Sequence, residues 1–178
     1  RLVSLVVQFP WSFRNRPEGR RRLARIVEAF PEFPLHVEVR HTSWDHDGFR
    51  EWLRERKVGI INIDQPIFND SIEPAEAATT GVAYVRLHGR NEGNWFRRDA
   101  TRDERYDYRY SVDELRPWME RVERLAARDD VEQVEVVFNN HYRAQAAQNA
   151  EMFGQLLAES HGKVEGGREV AAASRPLP

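Results

Sequence analysis

Hydrophobic and polar residues alternate along the chain with two periods, one typical of buried strands and one typical of amphipathic helices. Residues 2–9 form a nearly continuous apolar run that ends at Pro10, a pattern typical of a strand buried on both faces of a parallel sheet. Between Pro17 and Phe30 the apolar residues recur at i, i+3, i+4 and i+7, which predicts a helix with one buried face. The chain therefore opens with a strand followed by an amphipathic helix.

The same succession of strand and helix patterns continues along the chain. Apolar runs predict further strands at 35–40, 58–63, 82–88 and 133–138, and helical spacing predicts helices at 49–57, 111–125 and 144–160. Ser111 and Glu114 have the spacing of a capping box, which predicts the start of one of these helices. Strands that alternate with helices predict a parallel sheet with helices packed outside it.

Two segments depart from this succession. The polar segment from Arg90 to Tyr110 is long for a simple connection, and segments of this length are more often functional loops or lids. The end of the chain is rich in Gly, Ala, Pro and Glu, which predicts a disordered tail. We therefore assign residues 1–160 to part of a single domain and residues 161–178 to a tail.

Composition and charge narrow the class of protein. A chain of 178 residues that is 40% hydrophobic and 11% aromatic is predicted to fold as one domain. Its formal net charge of -2 offers no general attraction for nucleic acid, so any site for a polyanion must be local. The lack of cysteine excludes disulfides, thiolate zinc sites and iron–sulfur clusters, and it fits a cytoplasmic protein. No apolar run has the length of a membrane span, so no membrane partner is expected.

Two α/β architectures agree with the predicted elements, a doubly wound sheet and a (β/α)8 barrel. The first strand leads into a turn without a glycine-rich motif, which argues against a dinucleotide-binding doubly wound sheet. Polar residues instead follow successive strands at their carboxyl ends, which surround one mouth in a barrel. Because five strands cannot close a barrel of eight, the pattern predicts a TIM barrel fragment that holds the last five βα units.

Four blocks of sequence carry a resemblance to a known family. They are QFPWSF at 8–13, EVRH at 38–41 with Trp44, YVRLHGR at 84–90, and FNNH at 138–141 followed by AQNA at 147–150. In these blocks the chain resembles the YecE-like family, a domain-of-unknown-function family of TIM-barrel proteins without an established activity. The resemblance implies a barrel whose first three βα units precede Arg1. Ala144 departs from the family's last block, where a glycine is expected.

Arg86, His88 and Arg90 form the sharpest cluster of candidate site residues. Strand alternation places Arg86 and His88 on one face, and Gly89 lets the backbone approach a ligand closely. Two guanidiniums beside an imidazole suit a phosphate or carboxylate, with His88 as a general acid or base. The structural alternative is that Arg86 forms a buried ion pair with Glu38 and that His88 bonds only to a neighbour.

Two carboxylates are candidates for the acid–base chemistry. Glu38 and Arg40 share one face of their strand, where they either form a structural charge layer with Arg86 or offer a carboxylate to a substrate or metal. Asp64 follows a buried strand directly and is either a second catalytic carboxylate or the cap of the next turn. Both residues therefore remain candidates for a catalytic role.

Amide and aromatic side chains complete the candidate site. Asn139 and Asn140 end the fifth strand, where they either orient a substrate or satisfy the loop backbone. Gln8 ends the first strand, and Trp44 either stacks on a sugar ring or plugs the barrel top. No compact ligand motif such as H-E-x-x-H occurs, so no metal site is predicted.

We therefore expect an enzyme, a hydrolase or an isomerase, that acts on a small anionic substrate, phosphorylated or sugar-like. The anion would be held by three arginines, Arg40, Arg86 and Arg90. His88 would transfer a proton, with Glu38 or Asp64 as its carboxylate partner. The sequence names neither a cofactor nor an oligomeric state.

The alternative hypothesis is a non-catalytic module that binds nucleic acid or a protein. In the 90–110 loop, arginines alternate with aromatic residues, as they do in grooves that bind single-stranded nucleic acid. A second arginine-rich run, from Arg14 to Arg25, is predicted to be a solvated helix face.

Overall fold

The computed structural model describes residues 2–95 and 97–165, in which five strands and six α-helices follow one another along the chain. The strands are β1 (Leu5–Gln8), β2 (Leu35–Glu38), β3 (Gly59–Asp64), β4 (Val82–Leu87) and β5 (Gln133–Phe138). The helices are α1 (Pro17–Ala29), α2 (Asp47–Glu55), α3 (Glu92–Trp95), α4 (Arg102–Arg105), α5 (Val112–Ala126) and α6 (Gln145–Glu165). Two short 3-10 helices, Thr42–Trp44 and Tyr142–Ala144, follow the ends of β2 and β5.

The five strands form one sheet in which every pair of neighbours is parallel, as predicted. Their order in the sheet is β1-β2-β3-β4-β5, the same as their order in the chain. A doubly wound sheet reverses its strand order at a switch point, and the described strands contain no such reversal. The fold is therefore α/β with a five-stranded parallel sheet that winds in one direction.

Helices cover one face of this sheet, here called the helix face. Paired residues of neighbouring strands point to the same face, and Val37 pairs with Ile60 while Val85 pairs with Val136. Two hydrophobic clusters lie on this face. The first joins α1 and α2 to β1 and β2 and contains Phe9, Leu23, Val27, Leu35, Val37, Val39, Trp44, Phe49, Leu53 and Val58. The second joins α5 and α6 to β4 and β5 and contains Ala83, Val85, Leu87, Tyr110, Leu115, Trp118, Met119, Val122, Leu125, Phe153 and Leu156.

The opposite face, here called the polar face, carries charged and amide side chains near the carboxyl ends of the strands. Gln8 pairs with Glu38 across β1 and β2, and Arg86 occupies the corresponding face of β4. A parallel sheet with consecutive strand order, whose long helices α1, α2, α5 and α6 pack on one face, is the arrangement found in TIM barrels. The polar residues therefore gather at the edge of the sheet where such folds place their sites.

Ser111 is the N-cap of α5 and exchanges both bonds of a capping box with Glu114, as the spacing predicted. β1 was expected to be buried on both faces but is only half-buried, because it forms an edge of the described sheet. Helix α6 extends to Glu165, so the first residues of the segment predicted as a tail are helical. Residues 166–178 of that segment lie outside the described residues.

The long polar segment after β4 contains the short helices α3 and α4. It returns to the body of the protein at Tyr110, which is buried in the second hydrophobic cluster. Among the described residues, no helix combines the length and the apolar character needed to cross a membrane.

Candidate functional site

The carboxylate of Glu38 is the centre of the polar face. Its side chain is completely buried at the end of β2. Arg40 donates from Nε to Oε1 at 2.9 Å, and its Nη2 lies 2.8 Å from the same oxygen. Arg86 from β4 donates from Nη1 to Oε2 at 2.5 Å. One buried carboxylate thus holds two guanidiniums, which is the ion pair that the structural alternative anticipated for Arg86.

His88 completes the environment of Glu38. Its Nε2 lies 3.1 Å from Oε1 of Glu38, and Asn139 donates from Nδ2 to its Nδ1 at 3.1 Å. Asn139 presents its amide nitrogen to His88 because its oxygen accepts a bond from Arg86 at 3.2 Å. Nδ1 is therefore an acceptor and Nε2 carries the proton that points to Glu38. This neutral tautomer satisfies Glu38 and Asn139, while Nη2 of Arg40 lies 3.2 Å from the same Nε2.

Arg86 connects this centre to the outer strands. Besides Glu38 and Asn139, its Nη1 donates to Oε1 of Gln8 at 2.8 Å. Its side chain is 13% exposed, whereas those of Glu38 and His88 are fully buried. The residues contributed by β1, β2, β4 and β5 and the turns after them form what we call the Glu38 network, which consists of Gln8, Glu38, Arg40, Arg86, His88 and Asn139.

The pKa values of Glu38 and His88 both lie below their ordinary values, but for different reasons. Burial alone would raise the pKa of Glu38, but His88, Arg40 and Arg86 outweigh it and hold that pKa well below its usual range. Burial lowers the pKa of His88 to about 4, since the opposing attraction of Glu38 is partly cancelled by Arg40 and Arg86. At neutral pH the network therefore contains one carboxylate, two guanidiniums and a neutral imidazole.

Two aromatic rings from the 90–110 segment cover the network. The ring of Trp95 meets that of His88 edge to face at 6.4 Å between centroids, and the ring of Tyr106 lies 6.2 Å from it. The guanidinium carbon of Arg40 lies 5.3 Å from the centroid of Trp95, a cation–π distance. Trp95 is only 9% exposed, so the segment forms a roof over His88 and Arg40.

Asp64 and Arg90 belong to a different cluster. Asp64 pairs with Leu87, and the side chain of Leu87 lies in the second hydrophobic cluster. The side chain of Asp64 therefore points to the helix face and not towards Glu38. Arg90 donates to both carboxylate oxygens of Asp64 at 3.0 Å. The hydroxyl of Tyr110 donates to Oδ2 of Asp64 at 2.5 Å and accepts a bond from the backbone N–H of Gly89 at 2.7 Å. This cluster ties the beginning of the 90–110 segment to its end.

Asn140 lies behind the same segment and not in the Glu38 network. Its amide nitrogen donates to the backbone oxygen of Tyr108 at 2.7 Å and to Oδ1 of Asn149 at 2.8 Å. Asn149 in turn bonds the backbone N–H and oxygen of Tyr110 at 3.0 and 2.9 Å. Sequence reasoning gave Asn149 no role, although its polar side chain interrupts the apolar stripe of α6, which is the signal that could have identified it.

The structure brings six of the candidate residues into one network and leaves four outside it. Trp44 is one of the four: it is buried, stacks on Phe13 at 5.2 Å between centroids and donates from Nε1 to the Phe13 oxygen at 2.8 Å. The others are Asp64, Arg90 and Asn140. Within the part of the chain that the structure describes, no group of three or more His, Asp or Glu side chains is placed to hold a metal ion.

The comparisons with known proteins agree with this fold. A family model described as "Protein of unknown function DUF72" matches residues 1–175. A DUF72 family protein of Thermotoga maritima, TM1631, has a crystal structure that is 39% identical in sequence, with a TM-score of 0.81 over 89% of this chain. A DUF72 family protein of Enterococcus faecalis, EF0366, is 27% identical, with a TM-score of 0.78 over 88% of this chain.

A curated relative from Bacillus subtilis, "UPF0759 protein YunF", is 29% identical over 166 residues, or 88% of this chain. The chain spans 58% of the length of YunF, 58% of the Thermotoga protein and 59% of the Enterococcus protein. None of these names states an activity, a substrate or a ligand.

Proposed function

We propose that this chain, which belongs to the DUF72 family of proteins of unknown function, binds a small anionic ligand at the Glu38 network. The ligand is phosphorylated or sugar-like. Within that family we infer that the chain is YecE-like, on the four sequence blocks, and that its sheet is part of a TIM barrel. The inference of a barrel is supported by the consecutive parallel strands and by the packing of the four long helices on one face of the sheet.

The charge balance of the Glu38 network is the observation that carries the proposal. Two guanidiniums, those of Arg40 and Arg86, share one carboxylate, and His88 is neutral at neutral pH because burial lowers its pKa to about 4. One positive charge therefore has no counter-charge inside the network. Buried charges in proteins are normally compensated, so an anionic ligand beside Arg86 would complete the balance.

The accessible members of the network indicate how a ligand would be held. Arg86 is the partly exposed cation, and Gln8 and Asn139 lie on either side of its guanidinium at 2.8 and 3.2 Å. A guanidinium flanked by two amides suits the oxygens of a phosphate or carboxylate and the hydroxyls of a sugar. Arg40 lies deeper, between Glu38 and Trp95, and would act on the ligand through its charge.

Acid–base catalysis, as a hydrolase or an isomerase, is the second part of the proposal. A neutral imidazole can accept a proton, and Glu38 at 3.1 Å would stabilise the imidazolium that forms. The lone pair on Nδ1 currently accepts a bond from Asn139, so a substrate would replace that amide. Asp64 does not take part in this version, because its oxygens are bound by Arg90 and Tyr110.

The competing hypothesis of nucleic-acid binding through the 90–110 segment gains no support from the described contacts. Arg97 pairs with Asp99 and Glu104 inside the segment, and Arg105 donates to the backbone oxygen of Arg97. Trp95 and Tyr110 are buried, so they offer no open face for a base. The segment is built to pack on the protein, and we therefore favour the anion site.

A thermal-unfolding series tests the proposal. The full chain would be heated with inorganic phosphate, a sugar phosphate and the uncharged sugar, alongside R86Q and the control R124Q, which neutralises an exposed arginine paired with Glu76. An anion at about 100 times its dissociation constant should stabilise the wild type and R124Q by roughly 2.7 kcal/mol. R86Q should lose that ligand-dependent shift.

R86Q removes a partner of the buried Glu38 and can itself destabilise the fold. A second variant, Q8A, therefore tests the same site at a more exposed residue. It should weaken the anion response without a large loss of stability. Equal responses in the wild type and both variants, or no response to any anion, would refute the site.

A further inference from the structure

The arginines at the start of α1 have few acidic partners. Arg16, Arg22 and Arg25 are exposed, and within the described residues no carboxylate forms an ion pair with them. Arg14 only reaches Asp70, at 3.7 Å. Several arginines elsewhere do pair with acids: Arg50–Asp45, Arg54–Glu51, Arg56–Glu55, Arg97–Glu104, Arg124–Glu76 and Arg128–Asp130.

These arginines line one groove. A groove of about 560 Å³ runs beside α1, and its lining includes Arg14, Arg16, Arg22 and Arg25 with a single acid, Glu18. Gly19 makes the groove possible, because a Cβ at this position would lie 2.5 Å from the backbone oxygen of Arg14. The loop before α1 therefore packs on its first turn and keeps Arg14 beside the helical arginines. We call this surface the α1 arginine groove.

The α1 helix adds to the positive potential at one end of the groove. Its N-cap is Arg16, whose side chain makes no capping bond. The first backbone N–H groups of a helix carry partial positive charge and favour phosphate oxygens. Residues 14–25 contain six arginines and one glutamate, whereas the whole chain carries a net charge of -2. This surface is therefore a local concentration of positive charge in a chain that is slightly acidic as a whole.

The dimensions of the groove indicate the kind of anion. Arg16 and Arg25 are nine helical residues apart, or ~13 Å along the axis. That length exceeds a single phosphate group and spans several phosphates of a nucleic-acid strand, which are ~3.4 Å apart along a duplex. An open groove, unlike an enclosed pocket, admits a continuous chain. A lipid surface would instead require a flat or convex face.

We propose that the α1 arginine groove binds the phosphate backbone of a nucleic-acid strand, without recognition of base sequence. Guanidiniums contact successive phosphates and the first turn of α1 contributes backbone N–H groups. No aromatic platform is available in the groove, since Phe13 stacks between Phe9 and Trp44. The bases are therefore not held, and affinity comes from charge alone. This surface does not depend on the Glu38 network.

Fluorescence anisotropy with a labelled 20-nucleotide single strand, and a duplex of the same length, tests this proposal. The full chain would be compared with R16Q/R22Q/R25Q and with a control of equal charge change, R54Q/R124Q/R128Q, on α2, α5 and the turn after α5. Loss of three contacts should reduce low-salt affinity roughly tenfold or more and reduce the slope of log affinity against log salt by about 2. The control and R86Q should bind like the wild type.

Three results would overturn the proposal. The first is absence of binding by the wild type to either oligonucleotide at low salt. The second is an equal loss in both triple variants, which would mean that only net charge matters. The third is binding to phosphatidylserine vesicles without binding to oligonucleotides, which would assign the groove to a membrane surface. Circular dichroism of each variant confirms that the altered chains are folded.

Discussion

His88 and Glu38 are both completely buried, and Nε2 of His88 lies 3.1 Å from Oε1 of Glu38. Their contact joins β2 to the end of β4 across the polar face of the sheet. The pair is held in one protonation state, a carboxylate beside a neutral imidazole, because burial lowers the pKa of His88 and two arginines share the carboxylate. The stability of this arrangement therefore depends on pH.

Stability should fall with acidification below about pH 6.5. Burial lowers the pKa of His88 to about 4 from its ordinary 6.5, so between these values the unfolded chain binds a proton that the folded chain does not. The stabilisation is present above pH 6.5 and is lost as the pH falls towards 4, with a size on the order of 3 kcal/mol. Urea unfolding from pH 7 to pH 4 measures it.

The variant H88Q isolates the contribution of this imidazole from those of His36 and His41, whose pKa values burial also lowers. Its unfolding free energy should decline less steeply than that of the wild type between pH 6.5 and pH 4. Identical pH dependence in the two proteins would mean that His88 is not held neutral by burial.

Replacing the buried carboxylate should be costly. The variant E38Q keeps the size of the side chain but leaves Arg40 and Arg86 without their counter-charge, so a loss of about 3 to 5 kcal/mol is expected in urea unfolding. E51Q is the control, because Glu51 forms an exposed pair with Arg54, and it should cost less than about 0.5 kcal/mol. A cost for E38Q no greater than that of E51Q would contradict the central role of Glu38.

Gly89 should tolerate no side chain. Its φ is +91°, and a Cβ there would lie 2.6 Å from Cβ of Tyr108. Strain and this contact together predict that G89A loses ~2 kcal/mol or more of stability.

Gly154 is the opposite case, since a Cβ at its position in α6 meets nothing within 4 Å. G154A should stabilise the protein by about 1 kcal/mol, and the two melting temperatures should move in opposite directions. A neutral G89A would contradict this interpretation.

The hydroxyl of Tyr110 should anchor the 90–110 segment. In Y110F the backbone N–H of Gly89 loses its acceptor and Asp64 loses a donor, which predicts a loss of about 1 to 3 kcal/mol. Hydrogen exchange should show faster exchange at the Gly89 amide. Tyr142 provides the control, since its hydroxyl makes no hydrogen bond within the described residues. If Y110F and Y142F exchange alike, another contact holds the segment.

Much of the fold could be predicted because its elements depend on local order of residue types. The apolar runs predicted all five strands, and the alternation after Leu35 correctly separated Val37 and Val39 from Glu38 and Arg40. Polar residues at strand ends also predicted most of the Glu38 network, since the carboxyl ends of parallel strands meet at one edge.

The separation of Asp64 from Glu38 could not be predicted in the same way. Asp64 ends its strand as Glu38 does, but a shift of one residue in a strand reverses the face to which a side chain points. The register of Asp64 with Leu87 directs it to the helix face, where Tyr110 and Arg90 bind it. The role of Trp44 could not be predicted either, because only the packing of Phe13 on its ring decides that Trp44 is buried.

The sequence by itself determined the order of strands and helices, the parallel sheet, the capping box of α5 and the gathering of charged residues at one edge. These features follow from periodicity and turn chemistry within short segments. Only the tertiary structure decided which charges are compensated: Arg97 pairs with Glu104 inside the 90–110 segment, Arg40 and Arg86 share Glu38, and Arg22 and Arg25 form no ion pair within the described residues. Pairing depends on distances between elements that are remote in the chain, which no local pattern contains.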